Sequence, residues 1–192
     1  KVGRFESGGG VDRDPIACRD FERLTGSPAK VADLATRTPD ELRAFAGEAA
    51  PDVIFMSPPC KGFSGLMSPK KAATKKYQEM NRLAVKGTKL ILDTWGKDGP
   101  GLIILENVPR MATRGKELVK EILKLLHTHG YATHKGAHDC WEIGGLAQHR
   151  QRFLLVARHA VKVPVFLYQP PRKRVRGWLP ITGAVGGVGL GV

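Results

Sequence analysis

The sequence predicts an α/β domain built on a mainly parallel sheet. Short apolar runs such as Val53-Ile54-Phe55-Met56, Leu102-Ile103-Ile104-Leu105 and Phe153-Leu154-Leu155-Val156-Ala157 recur along the chain. Segments with helical spacing lie between them, so strands and helices alternate, as in parallel sheets with crossover helices. Polar clusters abut the apolar runs, and open α/β sheets bind ligands at the C-terminal ends of their strands.

The elements follow in order. Val11-Asp12-Arg13-Asp14-Pro15 reads as a strand end turning into a helix, with Pro15 suited to a first helical turn. The spacing predicts a helix over 16–24, stopped by Gly26, then a short strand over 29–34 with Asp33 near its end. Thr38-Pro39-Asp40-Glu41 predicts a helix start, with Thr38 as N-cap and Glu41 as its capping-box partner. The strand at 53–56 precedes one long helix over 72–95, open to interruption near Gly87. After the strand at 102–105, Leu118, Ile122, Leu125 and Leu126 make one face of a helix over 116–128. Strands are expected over 131–140 and 153–157, and Pro170-Pro171-Arg172-Lys173-Arg174-Val175-Arg176 reads as a basic surface linker.

At 192 residues the chain is long enough for one domain with a real core. It carries 31 Lys and Arg against 18 Asp and Glu, a formal charge of +13. That surplus suits a polyanion, whose counterions are released on binding, although charge alone argues about association and not about fold. Three cysteines without metal-ligand spacing fit a reducing cytoplasm. No secretory signal or membrane span is expected.

Three polar clusters carry the chemistry. The first is Ser57-Pro58-Pro59-Cys60-Lys61-Gly62-Phe63-Ser64, a cysteine on a loop stiffened by two prolines. A free cysteine alone is most often a small buried hydrophobe. The second is Glu106-Asn107-Val108-Pro109 and the third Gln148-His149-Arg150-Gln151-Arg152, so the order is nucleophile, acid, arginine pair. If a strand begins there, Gln148, Arg150 and Arg152 share one face by alternation; solvated strand residues would show the same pattern.

Together these segments resemble the cytosine-5 DNA methyltransferase family. Its signatures are a Pro-Cys-x-x-Phe-Ser loop, a Glu-Asn-Val strand end and a Gln-x-Arg-x-Arg segment, in that order. The resemblance covers residues 12–176 and implies a Rossmann-like fold that uses S-adenosyl-L-methionine. It makes Cys60 the nucleophile whose thiolate adds to carbon 6 of cytosine and activates carbon 5. Glu106 would hydrogen-bond ring nitrogen 3, Asn107 would brace the cysteine loop, and Arg152 would contact the base near its carbonyl oxygen. Arg150 would support the same loop and the DNA backbone. For the cofactor, Asp12 would bind the ribose hydroxyls, Asp33 the adenine amine, and Pro59 would pack nearby; an Asp at a strand end is as often a helix cap. Ser64, Gly62 and Gln148 would meet the nucleic acid. The implied partner is double-stranded DNA with its target cytosine flipped out, bound by a monomer in a bacterial or phage-type cytoplasm. Lys70-Lys71-Ala72-Ala73-Thr74-Lys75-Lys76 is either a lid over DNA or a solvated helix start.

Some family features are missing. Gly8-Gly9-Gly10 follows no strand-like run and forms no Phe-x-Gly-x-Gly pattern, and Lys61 stands where the family has glutamine. The expectation is a core over 1–169, truncated at both ends, and a basic, glycine-rich tail over 170–192 where a target-recognition region would begin. Weak cofactor binding and little turnover by this chain alone follow from that expectation. A tRNA cytosine-5 methyltransferase of the same family and a non-catalytic nucleic-acid-binding relative are the alternatives. Amine methylation would call for Asp- or Asn-Pro-Pro-aromatic, and a zinc deaminase for His-x-Glu with Cys-x-x-Cys.

Overall fold

A computed structural model describes residues 6–59, 61–63, 68, 70, 74–144 and 148–163. Strand β1 (Gly10–Asp12), helix α1 (Pro15–Thr25), β2 (Ala29–Val31), α2 (Pro39–Ala46) and β3 (Val53–Met56) alternate along the first part. A 3-10 turn (Lys61–Phe63), α3 (Lys75–Trp95) and a second 3-10 turn (Gly96–Asp98) lead to β4 (Leu102–Asn107). Then come α4 (Met111–Arg114), α5 (Lys116–Thr128), β5 (Tyr131–Asp139), α6 (Cys140–Gly144) and β6 (Gln151–His159).

Local chemistry fixes the early helices. The Asp14 side chain accepts from the Ile16 N–H at 2.8 Å, ahead of which Pro15 needs no partner. Gly26, at φ 69°, ends α1 with its N–H on the Glu22 carbonyl; that left-handed conformation favours glycine. Thr38 and Glu41 form the expected capping box.

The strands form two sheets, β1-β2 and β3-β4-β6-β5. The ladders β1/β2 and β3/β4 are parallel, whereas β6 runs antiparallel to both β4 and β5. The α/β class is the one the sequence predicts, but its sheets are parallel only through the earlier strands. The reason is the short excursion between β5 and β6, which returns the chain alongside itself. A parallel pairing would need a crossover.

Alternation along β4 and β6 sorts the larger sheet into two faces. Ile103, Leu105, Asn107, Phe153, Leu155 and Ala157 are buried, under α3 and α5, with Ile122 and Leu126 from α5 closing the core. On the opposite face Leu102, Ile104, Leu154 and Val156 are only half-buried, and Val53 and Phe55 of β3 are exposed. Helix α3 is the one long helix expected and runs without interruption through Gly87. An added Cβ there would sit 3.2 Å from the Met56 Cε, so the glycine lets the helix lie close on β3. Its intrinsic penalty of about 1 kcal/mol is offset by that packing. The helix begins at Lys75, so Lys75 and Lys76 of the basic segment lie on its first turn; Lys71, Ala72 and Ala73 fall outside the described residues. The strand expected over 29–34 ends at Val31, which leaves Asp33 in the following turn. Among the described residues no helix is long and apolar enough to cross a membrane.

Leu155 is fully buried at the middle of β6. Leu155→Ala should lower the unfolding free energy by about 3 kcal/mol, read as a shifted urea midpoint at unchanged slope. Val161→Ala, at a position 89 % exposed, should change it by less than about 0.5 kcal/mol.

Candidate active site

The end of β4 gathers the site. Glu106 lies opposite Leu154 in the β4–β6 ladder, and Arg152, two residues from Leu154, faces the same way. Arg152 Nε meets Glu106 Oε1 at 2.7 Å, and Ser57 Oγ donates to Glu106 Oε2 at 2.6 Å. The Arg152 Nη1 also donates to the Gln151 carbonyl at 2.8 Å. The two side chains of the ion pair are 23 % and 21 % exposed, so solvent screens them less than an ordinary surface pair. Ser57, which sequence reading left without a role, thus joins the acid to the cysteine loop. Its only sequence signal was its place at the end of β3.

Asn107 points to the opposite, buried face. It is 2 % exposed; its Nδ2 donates to the Pro58 carbonyl at 3.0 Å, and its Oδ1 accepts from the Val108 N–H at 2.9 Å. The Pro58-Pro59 segment is therefore tied to β4, with Pro59 half-buried. Cys60 and Ser64 lie outside the described residues. The chain is fixed again at Gly62 and Phe63, both buried, with Phe63 in the main core.

Gln148 and Arg150 do not share a strand face with Arg152, because β6 begins only at Gln151. The cause is Asp139, the last residue of β5. Its carboxylate accepts from His149 Nδ1 at 2.9 Å, from the Trp141 N–H at 3.0 Å and from the Arg150 N–H at 3.2 Å. The Cys140 N–H in turn donates to the Arg150 carbonyl at 3.0 Å. These bonds close the β5–β6 connection and leave the Gln148 and Arg150 side chains exposed. Asp139 and His149 carry no recognisable motif, and sequence reading missed both.

Asp12 and Asp33 sit at the C-terminal side of neighbouring parallel strands. One oxygen of each caps its own turn, Asp12 Oδ1 from the Asp14 N–H at 2.8 Å and Asp33 Oδ1 from the Ala35 N–H at 2.9 Å. Among the described residues nothing else is bonded to either carboxylate. A cavity of about 210 Å³ between β2 and α2 is lined by Val11, Ala32, Leu34, Leu42 and Phe45, with Arg37 and Glu41 also on its wall. It includes neither Asp12 nor Asp33 and stands apart from Glu106 and Arg152.

A family model described as C-5 cytosine-specific DNA methylase matches residues 3–175. The chain belongs to that family. Solved structures agree in fold. A methyltransferase from Entamoeba histolytica, EhMeth, is 22 % identical with a TM-score of 0.59, over 81 % of this chain and 44 % of its own. The S. pombe Dnmt2 methyltransferase is 20 % identical with a TM-score of 0.57, over 83 % and 43 %. A mutant of Spodoptera frugiperda DNMT2 is 15 % identical with a TM-score of 0.59, over 88 % and 46 %. The aligned region thus spans less than half the length of each of these structures. No curated protein sequence matches significantly.

Asp139 titrates below its ordinary value of 3.8, chiefly because His149 hydrogen-bonds its carboxylate and then because the Trp141 N–H does. A carboxyl with a depressed folded-state pKa stabilises the fold above its unfolded pKa and loses that contribution as pH falls through the folded value. Asp139→Asn should therefore be less stable than wild type near neutrality, and the gap should narrow as pH falls below the ordinary carboxylate range. Urea unfolding across that acid range measures it; a gap independent of pH would refute the assignment.

Proposed function

We propose that this chain is the catalytic part of a cytosine-5 methyltransferase that acts on double-stranded DNA. One observation carries the reading most directly. Glu106, Arg152 and Ser57 meet on one side of the β3–β4 end, while Asn107 holds the loop that leads into Cys60. That arrangement suits an acid and a guanidinium that face a base while a thiol is held beside it. Family membership supplies the reaction type.

In the proposed reaction Cys60 Sγ bonds to carbon 6 of the flipped cytosine. The displaced π pair spreads from carbon 5 toward ring nitrogen 3; Glu106, entering this step as the protonated acid, gives its proton there and is left as the carboxylate paired with Arg152. Arg152 orients Glu106 through its Nε and reaches the base carbonyl with its other nitrogens, a geometry that the planar guanidinium fork allows. Ser57 holds the second Glu106 oxygen, so the carboxyl cannot rotate freely. Arg150, Gln148, Gly62 and Ser64 would contact the nucleic acid backbone, and the +13 charge would draw it in.

S-adenosyl-L-methionine would supply the methyl group. The residues present fit its adenosine half: Asp12 ends β1 and Asp33 lies in the turn after the neighbouring β2, each with one oxygen left for a hydroxyl or amine donor. Pro59 would pack against it. Residues 1–169 would form this core, with 170–192 as a linker and tail.

The test is covalent trapping on a 5-fluorocytosine duplex with S-adenosyl-L-methionine, beside transfer of a labelled methyl group to unmodified duplex and to tRNA. Wild type should give a denaturant-resistant DNA adduct, Cys60→Ser none, and Glu106→Gln a rate lower by about 10²-fold or more. Labelling of tRNA in place of DNA would change the substrate class, and transfer that persists in Cys60→Ser would overturn the mechanism. Duplex binding by gel retardation should weaken by orders of magnitude between about 50 and 200 mM salt; affinity indifferent to salt would count against DNA as the partner.

A further inference from the structure

Helix α3 carries a polar residue where its core stripe meets the cysteine loop. Ala84, Val85 and Thr88 are buried on one face, and Asn81 continues that face by one turn at 4 % exposure. An apolar side chain is the expected occupant of such a place. The Oδ1 of Asn81 is buried and has no hydrogen-bond partner among the described residues. Buried acceptors are rarely left so, and each such case calls for a cause.

What Asn81 faces supplies one. A Cβ on Gly62 would lie 2.7 Å from the Asn81 Cγ and closer still to its amide oxygen, so the Asn81 amide fills the space beside the Gly62 backbone. Gly62 is two residues past Cys60, at most about 7 Å along the chain. The base of this contact is packed into the core. Phe63 is 2 % exposed in the core, and the neighbouring Arg82 pairs with Glu121 of α5 at 2.9 Å.

Resting on the cysteine-dependent reading above, we propose that Asn81 is a positioning residue for Cys60. Its side-chain amide is the stop on which Gly62 seats, and its Oδ1 is the acceptor held for a main-chain N–H of the Lys61–Phe63 turn when cytosine is bound. Asn107 fixes the loop before Cys60 and Asn81 fixes it after.

The test compares Asn81→Leu, which keeps the volume but removes the acceptor, with Asn81→Asp, which keeps an acceptor. Two readouts are taken on the full chain: the rate of adduct formation with 5-fluorocytosine duplex, and the alkylation rate of Cys60 by iodoacetamide relative to Cys140, by peptide mass spectrometry. Asn81→Leu should slow adduct formation about tenfold or more, since small misplacements of reacting groups are costly, at unchanged duplex affinity. Asn81→Asp should recover most of that rate. An Asn81→Leu protein that forms adduct at the wild-type rate overturns the proposal. If wild type forms no adduct, the methyltransferase reading fails, and the alkylation ratio decides on Asn81 alone. The ratio should change about threefold or more in Asn81→Leu, because thiol reactivity follows its surroundings, and an unchanged ratio overturns the proposal. If Asn81→Leu does not fold, Gly62→Ala, which leaves α3 intact, takes its place and must shift the same ratio; no shift overturns it.

Discussion

The antiparallel register between β4 and β6 is the constraint on which the site depends. Glu106 opposes Leu154 and Asn107 opposes Phe153. Because strand side chains alternate, this one register sends Glu106 and Arg152 to the open face and Asn107 and Phe153 to the buried one. A slip of β6 by one residue would place the Arg152 guanidinium under α3 and α5, away from Glu106, and leave Phe153 in water. Burial of Ile103, Leu105, Leu155 and Ala157 on the helix side therefore enforces the pairing of the charged groups on the other. Packing energy and site geometry are set by the same ladder.

The Glu106–Arg152 pair has its own physical logic. Its partial exposure keeps the desolvation cost below that of a fully buried pair, while its 2.7 Å contact is short enough to orient both groups. Ser57 adds a neutral hydrogen bond to the second carboxylate oxygen and couples β3 to β4 through side chains as well as through the backbone. The carboxylate is thus held by one charged and one neutral partner.

Much of this was legible in the sequence, and the reason differs from element to element. Thr38 with Glu41, Asp14 with Pro15, and Gly26 are local signals whose partners lie within a few residues, and the helices they bound sit where expected. Glu106, Asn107 and Arg152 were legible because each adjoins an apolar strand, and alternation then fixes its direction. What escaped depends on contacts distant in sequence. Ser57 reaches Glu106 across 49 positions, and Asp139 reaches the Arg150 N–H across 11. Neither spacing has a periodicity that one strand or helix would reveal. The antiparallel direction of β6 escaped for the same reason, since apolar runs mark strands without marking their direction. Gly87 left an interruption of the expected long helix open because its cost within a helix is a local property, whereas its close approach to Met56 belongs to the packed structure.

The described residues on either side of Cys60 show how such a fold fixes the two ends of a short loop segment. The loop leaves β3 on the open face at Ser57 and arrives in the helix layer at Phe63, so it crosses the end of the sheet. Pro58 and Pro59 restrict φ along the first part of that crossing, and Asn107 removes the freedom that ψ leaves by holding the Pro58 carbonyl. At the far end Phe63 is anchored by core burial and Gly62 by contact with Asn81. Each device acts on residues that flank Cys60 in the chain. The conformational entropy of these flanking residues has thus already been spent in folding the core that surrounds them.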